Sequence, residues 1–521
     1  MRQYNVILKK DIDYDEFWND IESDTDGGKL YIPNRAVQYT NERPASLRQC
    51  WYLLTDEEAE QLKSDERVLA VEIPPEHRDD IKIGLRAIQT GDYTKTSSDS
   101  GNYINWGLIR SNFPNNVYGS STTTTENYKY TLTGEGVDIV IQDSGIQSDH
   151  PEFQDPDGNN RVQEINWATV SGLAFTQNAN HYRDYDGHGT HCGGIAAGKT
   201  YGWAKRAHIY SQKIVGLEGT GDSGTGISTT YAFDSIKIWH NNKAIQPKTG
   251  VKRPTVVNMS WGYYNIFGSI TSINYRGTSY TGASIDSTAE KESFGLVLAS
   301  FSESNYRVAS VDTDIQEMVD AGIIICVAAG NNSHKIDVSG GVDYNNYYDD
   351  GEVVYYHRGS SPYDDEIISV GNMDSTSYSS TLDQKSTSSE TGPGVTIYAP
   401  GTNIMSCTSN TNRWGGGSQN YYLNSSYKQT NISGTSMASP QVAGVCTLIL
   451  EQNPKLTPAQ VKSALLGMAG DAIYDTGTND DWTNNRSLKG GSKKVLFNKA
   501  NSDKTLSISN LTFSGVGIKM R

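Results

Sequence analysis

Three short segments of this 521-residue chain carry side chains whose types and setting could do chemistry. The first is an apolar run, Val137-Asp138-Ile139-Val140-Ile141, that leads into Gln142-Asp143-Ser144-Gly145. An acid at the carboxyl end of a strand stands where open α/β sheets place their sites; taken alone, Asp143 reads first as a residue closing a turn. The second is Asp186-Gly187-His188-Gly189-Thr190-His191-Cys192, followed by small residues through Gly198. Its glycines let backbone approach the His188 imidazole closely. The competing readings are a solvated turn histidine, or His188 and His191 on a metal, for which no third ligand stands nearby. The third runs from Ile432 through Ser436 and Pro440 to Val445. Proline is tolerated in a helix near its first turn, where N–H groups lack partners anyway. This predicts a helix that starts close to Ser436, buries Val442, Val445 and Ile449, and stops at Asn453-Pro454. Its free N–H groups and partial positive charge would lie beside the Ser436 hydroxyl. As an ordinary helix cap, Ser436 would need no chemistry, and Ser433 and Ser439 are competing hydroxyls of the same type.

Together the three segments say more than they do apart. A serine hydroxyl is a weak nucleophile; it needs a base in reach, and the base needs a carboxylate to orient it. Asp143, His188 and Ser436 supply these groups in that chain order, separated by 45 and 248 positions. They are the groups that amide hydrolysis through an acyl intermediate requires.

Elements of one kind must position them. Short apolar runs at 137–141, 209–215, 255–259, 323–327 and 367–370 alternate with helical stretches such as Thr229–His240 and Val311–Asp320. Strands apolar on both faces that alternate with helices predict an α/β fold, a mostly parallel sheet with helices on both faces. Long polar inserts interrupt it at about 263–305, 333–362 and 406–430. Residues 1–75 read as a separate unit with the order β-α-β-β-α-β of a small ferredoxin-like α+β domain. In it Thr55 and Glu58 form a capping box. The division expected is therefore 1–75, a polar linker at 76–100, a main domain at 101–470 and a C-terminal appendage at 471–521.

Composition excludes other classes. Lys and Arg number 44 against 60 Asp and Glu, a net charge of −16. Such a chain is repelled by nucleic acid and by anionic membrane, so neither is expected as a partner. No apolar run is long enough to span a bilayer, and no secretory leader is visible at the start. Five scattered cysteines argue against a disulfide scaffold and for a reducing compartment.

The segments Val140–Ile146 (VIQDSGI), Asp186–Gly198 (DGHGTHCGGIAAG), Val256–Gly262 (VVNMSWG), Val327–Asn332 (VAAGNN) and Gly434–Gly444 (GTSMASPQVAG) resemble the subtilisin family of serine proteases, in its proteinase K-like branch. The resemblance spans about residues 101–470. It implies Asp143 as orienter, His188 as general base and then acid, Ser436 as nucleophile, and Asn331 as a donor to the oxyanion; a Gly-Asn turn after a strand is the plain reading of Asn331. It also implies substrate binding along Ser260, Trp261 and Gly262, with Gly221-Asp222-Ser223 as the opposite edge. Gly262, Ala328 and Gly330 would leave room for the side chain before the scissile bond, and Trp261 could equally be core. Residues 1–75 resemble the inhibitory propeptide of such enzymes. That implies a zymogen whose own N-terminal domain is an intramolecular inhibitor, removed by self-cleavage between about Pro75 and Asn102. The partner expected is a polypeptide substrate; the sequence leaves the oligomeric state open.

No cofactor is required and no metal is assigned. Family members often bind calcium, and Asp155-Pro156-Asp157-Gly158-Asn159 and Asp349-Asp350-Gly351-Glu352 supply hard oxygen ligands for it. Gln441 stands where the family usually has histidine, and the stretch from Gly262 to Asn331 is longer than usual. The rival reading is a non-catalytic structural or assembly protein on the same scaffold. The acidic, Tyr- and Asn-rich texture without a leader resembles subtilase-like proteins of bacteriophage particles, so a cytoplasmic or virion-associated location is expected.

Overall fold

A computed structural model describes residues 1–22, 37, 39–42, 46–74, 77–78, 81–85, 105–122, 124, 126, 128, 130–155, 157–216, 225–296 and 303–499. The predicted strands assemble into one sheet of seven, in the order Ile397–Pro400, Ile368–Met373, Ile324–Ala328, Thr255–Met259, Asp138–Asp143, His208–Lys213, Val162–Gln163. Every pairing within it is parallel. Parallel strands need crossovers, and helices on the two faces supply them. Successive side chains point to opposite faces: Ile139 and Ile141 join one apolar cluster, Val140 the other. Ile324 and Cys326 divide from Ile325 and Val327 in the same way. Burial of both faces is why these strands are apolar without alternation in the sequence. The helices His188–Ala197 and Thr435–Gln452 cover the first face, Thr229–Asn241 and Ala309–Asp320 the second.

The N-terminal unit has its own core, built on Tyr4, Val6, Phe17, Ile21, Tyr52, Leu54, Leu62 and Val68. Its strands Arg2–Leu8, Tyr39–Glu42, Gln49–Leu54 and Val68–Glu72 pair antiparallel, with Arg2–Leu8 between the third and fourth strands. Helices Tyr14–Glu22 and Asp56–Lys63 make the crossovers. This is the ferredoxin-like order. The capping box of Thr55 and Glu58 is present.

The structure departs from the sequence reading in three places. The stretch taken as a linker contains a strand, Ile81–Leu85, that pairs antiparallel with Trp261–Ile266. Inside that polar stretch the short run Ile-Lys-Ile-Gly-Leu finds a partner edge that no local signal announces. Residues 471–499 are not an appendage: Ile473, Leu488, Val495 and Leu496 belong to the main core, and bridges tie Tyr398 to Val495 and Asp383 to Ile473. These apolar residues are single and lack helical spacing, so they give no periodic signal. The polar inserts, finally, are structured. Parts of the first two build one small sheet, Thr278–Thr281, Ser272–Tyr275, Tyr347–Asp349 and Val353–Val354, over a cluster that includes Phe267, Ile273, Leu296, Tyr348 and Tyr356. The third insert forms an antiparallel sheet from Ile404–Thr408, Asn424–Ile432 and Gln419–Tyr421. The rest of the stretch 471–521, residues 500–521, lies outside the described residues.

All five cysteines are buried thiols. Among the described residues, no helix is long and apolar enough to cross a membrane.

Within the main domain a buried ion pair ties the short helix Trp106–Arg110 to Asp383. Arg110 Nη2 lies 2.6 Å from Asp383 Oδ2, and neither side chain is exposed. Removing one partner strands the other charge in the interior. The Arg110→Met chain is expected to lose about 3–5 kcal/mol of stability, read as an earlier urea unfolding midpoint. Adding Asp383→Leu should recover part of that loss.

Candidate active site

Asp143 is the last residue of its strand, and His188 is the first residue of its helix. His188 Nδ1 lies 2.7 Å from Asp143 Oδ1, and both side chains are fully buried. The contact requires the helix to come very near the strand. A Cβ on Gly189 would stand 2.1 Å from the main-chain oxygen of Gly145 and 3.1 Å from Asp143 Cβ, so only glycine fits there. The Asp143 carboxylate is held by the main-chain N–H of Ser144, which donates to Oδ1 at 2.7 Å. The Ser144 hydroxyl accepts from Gly189 N and donates to Asp184. Asp184 in turn accepts from the main-chain N–H groups of Gly187 and Thr190. Burial, with Asp186 nearby, pushes Asp184 up to about 6. Asp184 was not foreseen; its role as a clamp on the start of the His188 helix depends on contacts across 40 positions of chain.

Burial by itself would lower the pKa of His188. The Asp143 carboxylate, with Cys192 beside it, outweighs this and holds the imidazole well above its ordinary value. Its Nε2 has no hydrogen-bond partner among the described residues. Burial raises the Cys192 thiol, which therefore stays neutral, and its sulfur lies 3.8 Å from His188 Nδ1 and 3.5 Å from the main-chain oxygen of Ser436. Cys192 thus bridges the imidazole to the serine segment.

Ser436 is the second residue of the helix Thr435–Gln452, and its hydroxyl donates to the main-chain oxygen of Ser260 at 3.1 Å. The helix begins where expected, but Pro440 lies in its second turn rather than its first. A proline four residues on cannot donate to the Ser436 carbonyl. The Ser260 hydroxyl donates to that oxygen instead, at 2.9 Å. Ser433 and Ser439 turn elsewhere, to Asn403 N and Asn258 Oδ1.

Asn331 follows the strand Ile324–Ala328 by three residues. Its Oδ1 accepts from Thr435 N at 2.9 Å and from Thr435 Oγ1 at 3.1 Å. With the oxygen fixed by two donors, the amide nitrogen must face the other way, and it can serve as a donor beside Ser436. Thr435 is a second group that the motif reading passed over.

Of the substrate-edge residues, Ser260, Trp261 and Gly262 lie at the start of the strand Trp261–Ile266, which pairs with Ile81–Leu85. The Trp261 ring is fully buried against Phe233 and Tyr263, so it serves as core. Ala328 is buried at the end of its strand. At Gly330 a Cβ would lie 2.6 Å from Glu390 Cγ. Gly221-Asp222-Ser223 lies outside the described residues. Gln441 accepts from Trp203 Nε1 at 2.7 Å and donates to Pro400 O, a bracing position with no contact to the reacting groups.

Among the described residues, neither calcium segment brings three carboxylates onto a shared point. Asp155 Oδ1 accepts from the main-chain N–H groups of Asp157 and Asn159 and closes its own turn, and Pro156 lies outside the described residues. Glu352 pairs with Arg78 at 2.6 Å. Among the described residues the converging groups are Asp143–His188–Cys192 and Asp234–Asp314–Glu317. The second of these holds Lys237, whose Nζ lies 3.0 Å from Asp234 and 2.5 Å from Glu317. The His188–His191 metal pair does not form either: His191 Nε2 is 3.1 Å from the main-chain oxygens of Ile404 and Thr430, contacts that need a proton on that nitrogen.

The N-terminal unit contributes to this neighbourhood. Glu72 accepts from the main-chain N–H groups of Ala309 and Ser310, capping the helix Ala309–Asp320 from outside. Gln49 donates to Asp314 at 3.0 Å and Arg48 to Gln316 at 2.8 Å on the same helix.

Residues 134–500 match the subtilase family, peptidase S8. A subtilisin-like serine protease of Cochliobolus lunatus is 26% identical over 388 residues, which cover 73% of this chain and 56% of that protein. Proteinase R of Parengyodontium album is 26% identical over 346 residues, covering 66% of this chain and 60% of the relative. The chain thus spans less than two thirds of the length of either relative. Fervidolysin from Fervidobacterium pennivorans, described as a keratinolytic enzyme related to subtilisin, shares the fold at 16% identity. The superposition has a TM-score of 0.50 and covers 94% of this chain and 60% of that one. With the parallel sheet and the three segments at its carboxyl edge, the match over most of its length makes this chain a member of the subtilase family.

Proposed function

We propose that the protein is a serine endopeptidase that hydrolyses peptide bonds through Asp143, His188 and Ser436. The observation that carries this reading is the buried hydrogen bond between Asp143 and His188 Nδ1, which leaves Nε2 without a partner among the described residues while Cys192 links the ring to the Ser436 main chain. Asp143 fixes the tautomer, so that Nε2 carries the lone pair. The Ser436 hydroxyl turns from the Ser260 oxygen toward that lone pair, loses its proton to it and attacks the carbonyl carbon. The imidazolium that results is stabilised by Asp143 and delivers its proton to the leaving amine. Oxygen of the tetrahedral intermediate is received by the Asn331 amide and by the main-chain N–H of Ser436, at a helix start where such groups lack internal partners. An extended peptide would add as a strand along Ser260–Gly262.

The same reading makes the chain a self-processing zymogen. Its support is the N-terminal unit seated on the helix Ala309–Asp320 and the strand Ile81–Leu85 on the cleft edge. The bond to be cut then lies between about Pro75 and Asn102, a stretch in which only residues 77–78 and 81–85 are described. The virion setting rests on the texture of the composition alone.

Replacing Ser436 by alanine is expected to abolish peptide hydrolysis, labelling by a fluorophosphonate probe and self-trimming together. A Ser436→Ala chain still trimmed by itself at the full rate would overturn both the nucleophile and the zymogen. Asn331→Ala should lower kcat by about 10²–10³-fold, the loss known for the corresponding donor in subtilisin itself, with KM changed little.

The raised His188 value sets the pH dependence. A protonated imidazole cannot act as the base, so activity is lost as pH falls through the folded pKa. Because that pKa is raised, kcat/KM should climb with pH through a midpoint above about 6.5, the ordinary imidazole value. A profile flat from pH 5 to 8 would rule out His188 as the base.

A further inference from the structure

We infer that Arg413, carried by the third insert, is a positioning residue for the base: acting through Asp186, it fixes the start of the His188 helix, and kcat depends on it. This rests on the peptidase reading above and adds a residue to its machinery. Two independent observations lead to it.

The first is charge. His188 opens its helix, so its main-chain N–H has no acceptor within the helix. Asp186 Oδ1 accepts from that N–H at 3.3 Å. Asp186 is buried, and Asp184 beside it is a second buried acid. The groups that donate to Asp184 are neutral: the Ser144 and Thr190 hydroxyls and the main-chain N–H groups of Gly187 and Thr190. Two neighbouring carboxylates out of water repel each other and need a cation in close contact. Arg413 supplies it. Its Nε donates to both Asp186 oxygens at 2.9 Å, and its Nη2 donates to Oδ2. The planar fork of arginine suits a carboxylate in this way. The Arg413 main-chain N–H also donates to the Asp186 main-chain oxygen, at 2.9 Å. Asp186 is thus held by side chain and by main chain, two positions before the base.

The second is fit. Thr408 Oγ1 donates to Gly187 O at 3.0 Å, and Ser406 Oγ donates to His191 O at 2.9 Å. Gly187 has φ +88°, and a Cβ there would lie 2.4 Å from Thr408 Oγ1 and 2.6 Å from Asn412 Cβ. A side chain at that position would push the insert away from the helix start. Asn412 closes its own turn, donating to Ser409 O and accepting from Trp414 N, so Arg413 is presented from a fixed loop.

Without its counter-ion, Asp186 must move toward water or take up a proton. The His188 N–H then loses a fixed acceptor, and the imidazole shifts against Asp143 and Ser436. A displacement of about 1 Å can cost about 10²-fold in rate. The strand Trp261–Ile266 is a separate element, so peptide binding along Ser260–Gly262 should be spared.

The test uses the full chain, with kcat on a chromogenic peptide counted per Ser436 that a fluorophosphonate titrates. Arg413→Ala should lower kcat roughly 30-fold with KM changed little. Arg413→Lys should keep an intermediate kcat, because lysine brings the charge without the fork. The Arg413 side chain is 35% exposed, so a small cation can reach its place. Millimolar guanidinium chloride should therefore restore part of the kcat of Arg413→Ala and leave the unaltered chain as it is. On an Asp186→Asn background the same Arg413→Ala change should cost about threefold or less, because the charge it compensates is gone. An unchanged kcat, a loss carried by KM, no recovery with guanidinium, or an equal loss on the Asp186→Asn background would overturn the inference. Should Arg413→Ala fail to fold, Arg413→Lys decides: a lower kcat at unchanged KM supports the inference, and an unchanged kcat overturns it. Failure of the peptidase reading looks different: the unaltered chain cuts no peptide, and Ser436 takes no fluorophosphonate.

Discussion

The structure depends on one hydrogen bond, from the imidazole of His188 to the carboxylate of Asp143, made between two fully buried side chains. A charge relation of this kind is strong because the surroundings are poorly polarisable, and costly if either group is left alone there. Its neighbourhood is accordingly built to close tolerances. Gly189 lets a helix touch the end of a strand, and Ser144 and Asp184 fasten the first turn of that helix. The Cys192 sulfur then fills the gap to the serine segment. Pro440 follows the same logic: by giving no N–H to Ser436, it frees a carbonyl that Ser260 takes up across the cleft.

The two faces of the parallel sheet divide the work. One carries the helices that begin at His188 and next to Ser436, so both reacting side chains emerge at the carboxyl edge where Asp143 ends its strand. The other carries Thr229–Asn241 and Ala309–Asp320, and the second of these receives the N-terminal unit. Glu72 offers the start of Ala309–Asp320 a carboxylate acceptor that the helix does not have itself. An anion at a helix start is stabilised by the same free N–H groups that favour an oxyanion at the start of the Ser436 helix.

The inserts turn a common scaffold into a particular cleft. Strands from two inserts far apart in sequence share a sheet and an aromatic cluster, and Glu303–Asn305 pairs with the edge strand on the side away from the tail. Asn305 then reaches the buried Glu390, so a segment whose composition looked like surface loop is tied to the interior.

By itself the sequence determined the sheet strands, the plait order of the N-terminal unit, the start of the Ser436 helix and the identity of the three groups brought together. Each of these leaves a local trace: a run of β-branched residues, a capping box, glycines flanking a histidine. It did not determine that Ile81–Leu85 lies on the cleft edge, that residues 471–499 belong to the core, that Gly330 backs onto Glu390, or that Asp184 and Thr435 hold the reacting groups in place. Those are contacts between positions tens to hundreds of residues apart. Local propensity and spacing carry no record of them, because which edge, cavity or carbonyl a side chain meets is settled only when the whole chain packs.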